Sequence, residues 1–265
     1  HASVLDDPFL VAALVPMPLA LDASRMRWGA CSQEVCFSRG ALVAAFFGAG
    51  KTLPIKRGGG LEQPALAALS RRLEAGDWVH VFPEGHVHQG DAIGTGRGSH
   101  ENNERDAATR ARIGALKWGT AKLIAHAPNA VVVVPLVHAG MPTLMPYDKV
   151  TGRCESKIWK TGRRVSVRVG RPIRFDDLIA AHERRVGAPV TRYRRREERP
   201  ALSASSSSDA SGVAEADFVE WPVSSPADRE LYVQITRRLE AELVALTAKR
   251  LDYDRRRAHT RSRPP

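Results

Sequence analysis

Apolar positions along this chain switch between helical and strand spacing up to about Asp177. Leu66, Leu69 and Leu73 recur at helical spacing, with Pro64 near the start and Gly76 past the end, so they predict a helix. The apolar run from Ala41 to Gly48 predicts another helix, stopped by Gly48-Ala49-Gly50. Pro16 and Pro18 interrupt the apolar stretch Pro8 to Leu21, which predicts a short helix followed by extended chain. Leu53 to Lys56 predicts a short strand leading into Arg57 and a Gly58-Gly59-Gly60 turn, and Trp78 to Phe82 predicts a buried strand. Helical spacing resumes at Ile113, Leu116, Thr120 and Leu123-Ile124 until Pro128. The β-branched run Val131 to Leu136 then predicts a strand covered on both faces, and Val165 to Val169 alternates as another.

Two segments break this rhythm. Residues 86–108 are rich in Gly, Asn, His and charge without either period, which predicts a long inserted loop. Residues 181–224, arginine-dense and then serine-rich, are expected to be a disordered insertion, because they carry too little apolar surface to offset ordering entropy. Order returns at Ser225-Pro226-Ala227-Asp228, a helix-start signature. Leu231, Ile235, Leu239, Leu243 and Leu246 form one stripe, so residues 225–257 predict an amphipathic helix packed on a core of residues 1–180, with 258–265 as a basic tail.

Composition narrows the partners. The net charge of +11 and sequence pI near 10.1 call for an acidic partner, either nucleic acid or an anionic membrane surface. No segment has the roughly 20 apolar residues that a membrane-crossing helix needs, but Phe9 to Leu21 is either an apolar edge for interfacial binding or an ordinary core segment. The chain begins without Met on a residue that carries chemistry, which leads us to expect native residues upstream. Cys31, Cys36 and Cys154 cannot all pair and lack zinc-site spacing, which predicts reduced thiols. His86 and His88 have no third ligand near in sequence, so no metal is expected.

The residues suited to chemistry are few. His1 and Asp6 are five apart, about 140° from each other on a regular helix, so they meet only across a turn. There Asp6 would accept the Nδ1 proton of His1 and leave Nε2 to take a proton from an alcohol. In Phe82-Pro83-Glu84-Gly85 the proline fixes the chain, the glycine opens the backbone, and Glu84 is held at the end of a strand. Arg57 suits a phosphate bidentately, and Lys56 adds charge. Ala45 to Thr52 approaches a phosphate-cradling nucleotide loop, but Ala45 replaces its first glycine and Pro54 opposes the helix that should follow.

In order, His1-x4-Asp6, Lys56-Arg57-Gly58, Phe82-Pro83-Glu84-Gly85 and Val134-Pro135-Leu136 resemble the four successive motifs of the glycerolipid acyltransferase family. Arg27-Trp28, Gly76-Asp77-Trp78-Val79-His80, Lys117-Trp118-Gly119 and Pro135-Leu136-Val137-His138-Ala139-Gly140-Met141 are similar to its phospholipid–lysophospholipid transacylases. The resemblance covers most of residues 1–177 and, more loosely, the terminal helix. It implies an α/β fold, a mostly parallel central sheet flanked by helices with the site at strand ends. It also implies His1 and Asp6 as catalytic residues and Lys56, Arg57, Gly58, Glu84 and Gly85 as substrate-binding ones. The reaction implied is CoA-independent acyl transfer between phospholipids and lysophospholipids, with cardiolipin remade from monolysocardiolipin at mitochondrial membranes. Exchange of one ester for another is nearly thermoneutral, so no cofactor is expected. The sequence departs from the pattern in its long loop after Gly85, in His86 where lysine is common, and in Ala115 where an arginine is usual, with Arg112 one turn earlier. The rival activities are an acyl-CoA-dependent acyltransferase sharing the same motifs and a basic nucleic-acid-binding module. The module rests on the tract near Arg192 to Arg199, which has no aromatic platform.

Overall fold

The computed structural model describes residues 10, 14–20, 22–85, 116–144, 146–148, 153–154, 160–193 and 223–261. Helix α1 (Met17–Ala20) and a 3-10 turn (Ala23–Arg25) precede strand β1 (Trp28–Ser32), after which come α2 (Gln33–Cys36), α3 (Ala41–Ala49) and β2 (Thr52–Ile55). Next are α4 (Pro64–Glu74), β3 (Val79–His80), α5 (Trp118–His126), β4 (Leu136–Ala139) and α6 (Met141–Leu144). Strands β5 (Tyr147–Asp148), β6 (Arg153–Cys154) and β7 (Ser166–Val169) lead to α7 (Asp176–Val186) and α8 (Pro226–Arg261).

The fold is α/β. Strands β2-β1-β3 form a parallel sheet, with Gly29 opposite Thr52 and Trp28 opposite Val79. Strand β4 pairs antiparallel with β7, and β5 with β6. The sheet order turns back at β1, so right-handed crossovers place α3 and α4 on opposite faces. Pro64 opens α4 where its missing N–H costs nothing, and the helix closes before Gly76. Its Leu66 and Leu69 pack with Leu123 of α5 under Trp28, Ala30, Leu53, Ile55, Val79 and Val81.

A second core joins α5, α7 and α8. Leu231, Tyr232 and Ile235 of α8 are fully buried against Ala121, Ile124, Phe175 and Ile179. The start of α8 is capped reciprocally: Asp228 N–H donates to Ser225 Oγ (3.1 Å), and Ser225 N–H donates to Asp228 Oδ2 (2.8 Å). Both forks of Arg238 donate to the Asp177 carboxylate at 2.6 Å, which clamps α8 to α7 and lowers the Asp177 pKa to about 2. His126 lies in the same core with Nδ1 2.6 Å from the Thr191 carbonyl and Nε2 2.5 Å from the Tyr232 hydroxyl, and burial lowers its pKa.

Several expectations are corrected. Residues 181–193, expected within a disordered insertion, are ordered and partly buried. Helix α7 carries Asp176 and Asp177 in its first turn and Arg184 and Arg185 in its last, which suits the helix dipole, and Gly187 closes it at φ 76°. Val190 and Tyr193 then bury, and Tyr193 N–H donates to the His126 carbonyl. The charge that looked solvated thus belongs to a helix that buries Ile179 and His182. The remainder of the segment, 194–222, and the whole 86–108 loop lie outside the described residues. Helix α8 runs past residue 257 to Arg261.

Val131 to Leu136 is not covered on both faces. Val133 bridges Ile173 and Leu136 opens β4 opposite Val169, but Val132 and Val134, on either side of Val133, are half exposed. Strand spacing is present there, but Val131 to Leu136 line a cavity together with Val79 to Phe82. Cys31 and Cys36 are joined as a disulfide, against the expectation of free thiols. The chain passes straight from β1 into α2 and folds back until the two Cα atoms are 6.2 Å apart, inside the bridging range. Leu10, from the stretch read as either an apolar edge or a core segment, is buried with Met141 and Leu144, as the core reading has it.

Candidate active site

Because β2, β1 and β3 run the same way, the segments that follow them share one edge of the sheet, where open α/β sheets bind ligands. Ser32 ends the central strand. Lys56, Arg57 and Gly58 follow β2, and Glu84 and Gly85 stand beyond β3. The sequence-predicted binding residues thus gather at one edge, while His1 and Asp6 lie outside the described residues.

Local hydrogen bonds build the turn after β2. Lys56 N–H donates to Gln63 Oε1 (2.8 Å), Gln63 Nε2 donates to the Gly60 carbonyl (2.8 Å), and Gly59 N–H donates to the Lys56 carbonyl (3.1 Å). Gly58 sits at φ 73°, a region that side chains disfavour. These bonds fix the turn, and both cationic side chains are left exposed, where an anion can reach them. Glu34 is a neighbour that sequence reasoning missed. The Ser32 hydroxyl donates to its carboxylate and holds it below the usual carboxyl range, with the Arg57 and Lys56 charges adding to this. The available signal was its place just past the end of the central strand.

The second turn holds its acid differently. Gly85, at φ 68°, donates its N–H to the Phe82 carbonyl (3.1 Å), and Lys117 N–H donates to the Pro83 carbonyl (2.7 Å) just ahead of α5. A Cβ on Gly85 would stand 3.1 Å from Lys117 Cγ, so the glycine also allows this close approach. The consequence is a carboxylate that is nearly buried, Glu84 being 8% exposed.

Glu84 borders a cavity of about 530 Å³, between β3 with its turn on one side and Val131 to Gly140 on the other. Leu123 and Ile124 of α5 and Leu239 and Leu243 of α8 give it apolar walls, while His80 and His138 add imidazoles. The His80 ring lies 4.6 Å from that of Phe82. Neither Lys56 nor Arg57 lines this cavity, so the edge divides into a solvent-facing cationic turn and an acid set against an apolar chamber. Sequence reasoning missed both histidines as wall residues; the alternation in Trp78-Val79-His80-Val81-Phe82 was the available signal for His80. Other residues that carried the resemblance hold the opposite edge of the sheet. Trp28 Nε1 donates to Asp77 Oδ2 (3.0 Å), and Trp78 Nε1 donates to the Arg25 carbonyl (2.7 Å).

Residues 1–139 match the family model described as Acyltransferase. The chain belongs to the acyltransferase family. It is 31% identical to the N-acylphosphatidylethanolamine synthase of Arabidopsis thaliana over 95% of this chain and 77% of that protein. It is 30% identical to Tafazzin of Drosophila melanogaster over 72% of this chain and 44% of the fly protein. Taffazin of Dictyostelium discoideum is also 30% identical, over 69% of this chain and 55% of its own length. The match thus spans about half the length of these two relatives. The protein is an acyltransferase enzyme, and Arg57 and Glu84 follow strands on the sheet edge where open α/β folds tend to bind ligands. Among the described residues no helix is long and apolar enough to cross a membrane.

Proposed function

We propose that this acyltransferase moves a fatty acyl group between phospholipids and lysophospholipids without CoA, regenerating cardiolipin from monolysocardiolipin at a mitochondrial membrane. The observation that carries this reading is the near-buried Glu84 set between an apolar cavity and a sheet edge bearing Lys56 and Arg57. A diacyl lipid needs both surroundings, a largely apolar chamber for its chain and cations for its phosphate.

In this mechanism Asp6 orients His1, whose Nε2 takes the proton of the lysophospholipid hydroxyl as that oxygen attacks the donor's ester carbonyl. A new carbon–oxygen bond forms, the old ester bond breaks, and protonated His1 returns its proton to the departing alcohol. Arg57, with Lys56, holds the glycerophosphate, and Glu84 with Gly85 positions the glycerol portion. The two esters are nearly equal in energy, so neither nucleotide nor thioester is required.

The assay supplies a labelled diacyl phospholipid and monolysocardiolipin, with and without acyl-CoA. Transfer is expected without acyl-CoA and should fall by about 10² to 10⁴ in His1→Ala, the range for a lost general base. Transfer only with acyl-CoA would reject this reading in favour of the CoA-dependent one. The similarity to an N-acylphosphatidylethanolamine synthase over 95% of the chain favours a second reading, in which the acceptor is an amine. Offering phosphatidylethanolamine together with a lysophospholipid separates the two, because an amide product survives mild base and an ester product does not.

A further inference from the structure

Helix α3 is the least expected surface of this molecule. Its nine residues, Ala41 to Ala49, are all apolar or glycine, and none is buried. Leu42 is 88% exposed and Phe46, one turn on, is 73% exposed. Phe47 turns inward to Phe37, with ring centroids 6.2 Å apart, and Phe46 meets Phe47 edge-on at 5.4 Å yet keeps most of its surface exposed. The helix is held firmly at its far end. Arg27 Nη1 donates to the Gly50 carbonyl (2.8 Å), and Lys51 Nζ donates to the Ser24 and Met26 carbonyls (3.1 and 3.2 Å). Those bonds also fix α3 beside the 3-10 turn and, through it, α1, where Leu19 is exposed, and the half-exposed Trp78 hydrogen-bonds to the same turn.

We propose that α3 is the element that seats this protein on an anionic bilayer, with Leu42 and Phe46 inserted among the lipids. At nine residues it is about 13 Å long, too short to cross a membrane but enough to lie in the interface. Charge selects the occupant. Arg39 stands exposed two residues before α3, and Lys56 and Arg57 stand exposed past β2, on a chain of net charge +11. A second copy would bring the same sign of charge against these cations, whereas anionic headgroups complement them. In the β1-α3-β2 unit the helix returns antiparallel to its strands, so its first turn, with Leu42, points toward the edge that carries Arg57. A lipid would then pass from the bilayer to the cationic turn without crossing water. This last step rests on the acyltransfer reading above, while the seating itself does not.

The test is sedimentation of the full chain with phosphatidylglycerol-containing vesicles, comparing wild type with the double variant Leu42→Glu/Phe46→Glu. Binding should drop at least about tenfold, since two large apolar side chains would no longer leave water. The thermal midpoint should stay unchanged, because neither side chain is buried in the protein. Turnover of short-chain lipids dispersed as monomers should also persist, while turnover of vesicle lipid falls. A separate variant, Phe46→Trp, should show a blue-shifted emission on vesicles and quenching by brominated lipid. Unchanged vesicle binding by the double variant would overturn the proposal. So would a wild-type dimer that the double variant dissociates while vesicle binding persists, because α3 would then be a contact between copies. If wild type binds vesicles through α3 yet transfers no acyl group, the seating stands and the proposed reaction fails.

Discussion

Helices α3 and α4 flank the same three-stranded sheet and reverse what composition alone would suggest. Helix α3 is apolar throughout yet has no fully buried residue, whereas α4 contains Ser70, Arg71, Arg72 and Glu74 and buries five residues. The cause lies in what stands opposite. By strand alternation, Gly29, Cys31, Thr52 and Pro54 share the face toward α3, while Trp28, Ala30, Leu53, Ile55, Val79 and Val81 pack against α4. One face offers little apolar surface and the other a broad patch, which α5 closes with Leu123. A helix is buried when its stripe meets a matching surface, and hydrophobicity without a partner is left facing outward.

The strongest way to break this contrast is Leu69→Ala. Leu69 is 1% exposed between sheet and α5, so truncation should cost about 2–5 kcal/mol, read as a lower urea midpoint with little change in slope. A loss no larger than that of a surface site would mean that the α4 face is not the packed one. A smaller effect sharpens the comparison with charge-based contacts. The Asp177–Arg238 clamp holds Asp177 at about pKa 2, below its ordinary 3.8, so its stabilisation is present above pH 4 and is lost as pH falls toward 2. Because the Asp177 side chain is 64% exposed, solvent screening should keep Asp177→Asn below about 1 kcal/mol at neutral pH. The difference between variant and wild type should close in acid, as denaturant melts across pH 2 to 7 would show. The smallest effect belongs to α3. Leu42→Ala should change stability by less than about 0.5 kcal/mol, and a loss near that of Leu69→Ala would show that α3 is packed in solution.

How far the sequence could be read depended on whether a signal was local. Pro64 and Gly76 bracket α4, Ser225 with Asp228 caps α8, and Pro83-Glu84-Gly85 marks the turn beyond β3, because each sets its own backbone within a few residues. Helix α7 was missed because its arginines read as a solvated tract, although the acids of its first turn and the basic residues of its last turn follow the dipole. The cavity was not legible, since Val131 to Leu136 spells a covered strand and nothing in it reports that β3 stands across a gap. Glu34 and the Cys31–Cys36 disulfide depend on a chain reversal after Ser32 that spacing does not announce.

By itself the sequence determined the alternation of elements, the capped and stopped helices, the cationic and acidic turns, and the motif order that assigned the chain to an acyltransferase family. Torsional limits of proline and glycine and the periods of helix and strand act over a few residues, so those features needed no distant partner. Tertiary structure alone decided that Glu84 would be nearly buried beside an apolar chamber, that α7 would join the core, and that α3 would be left uncovered. Burial belongs to pairs of surfaces, and their second members come from residues far away along the chain.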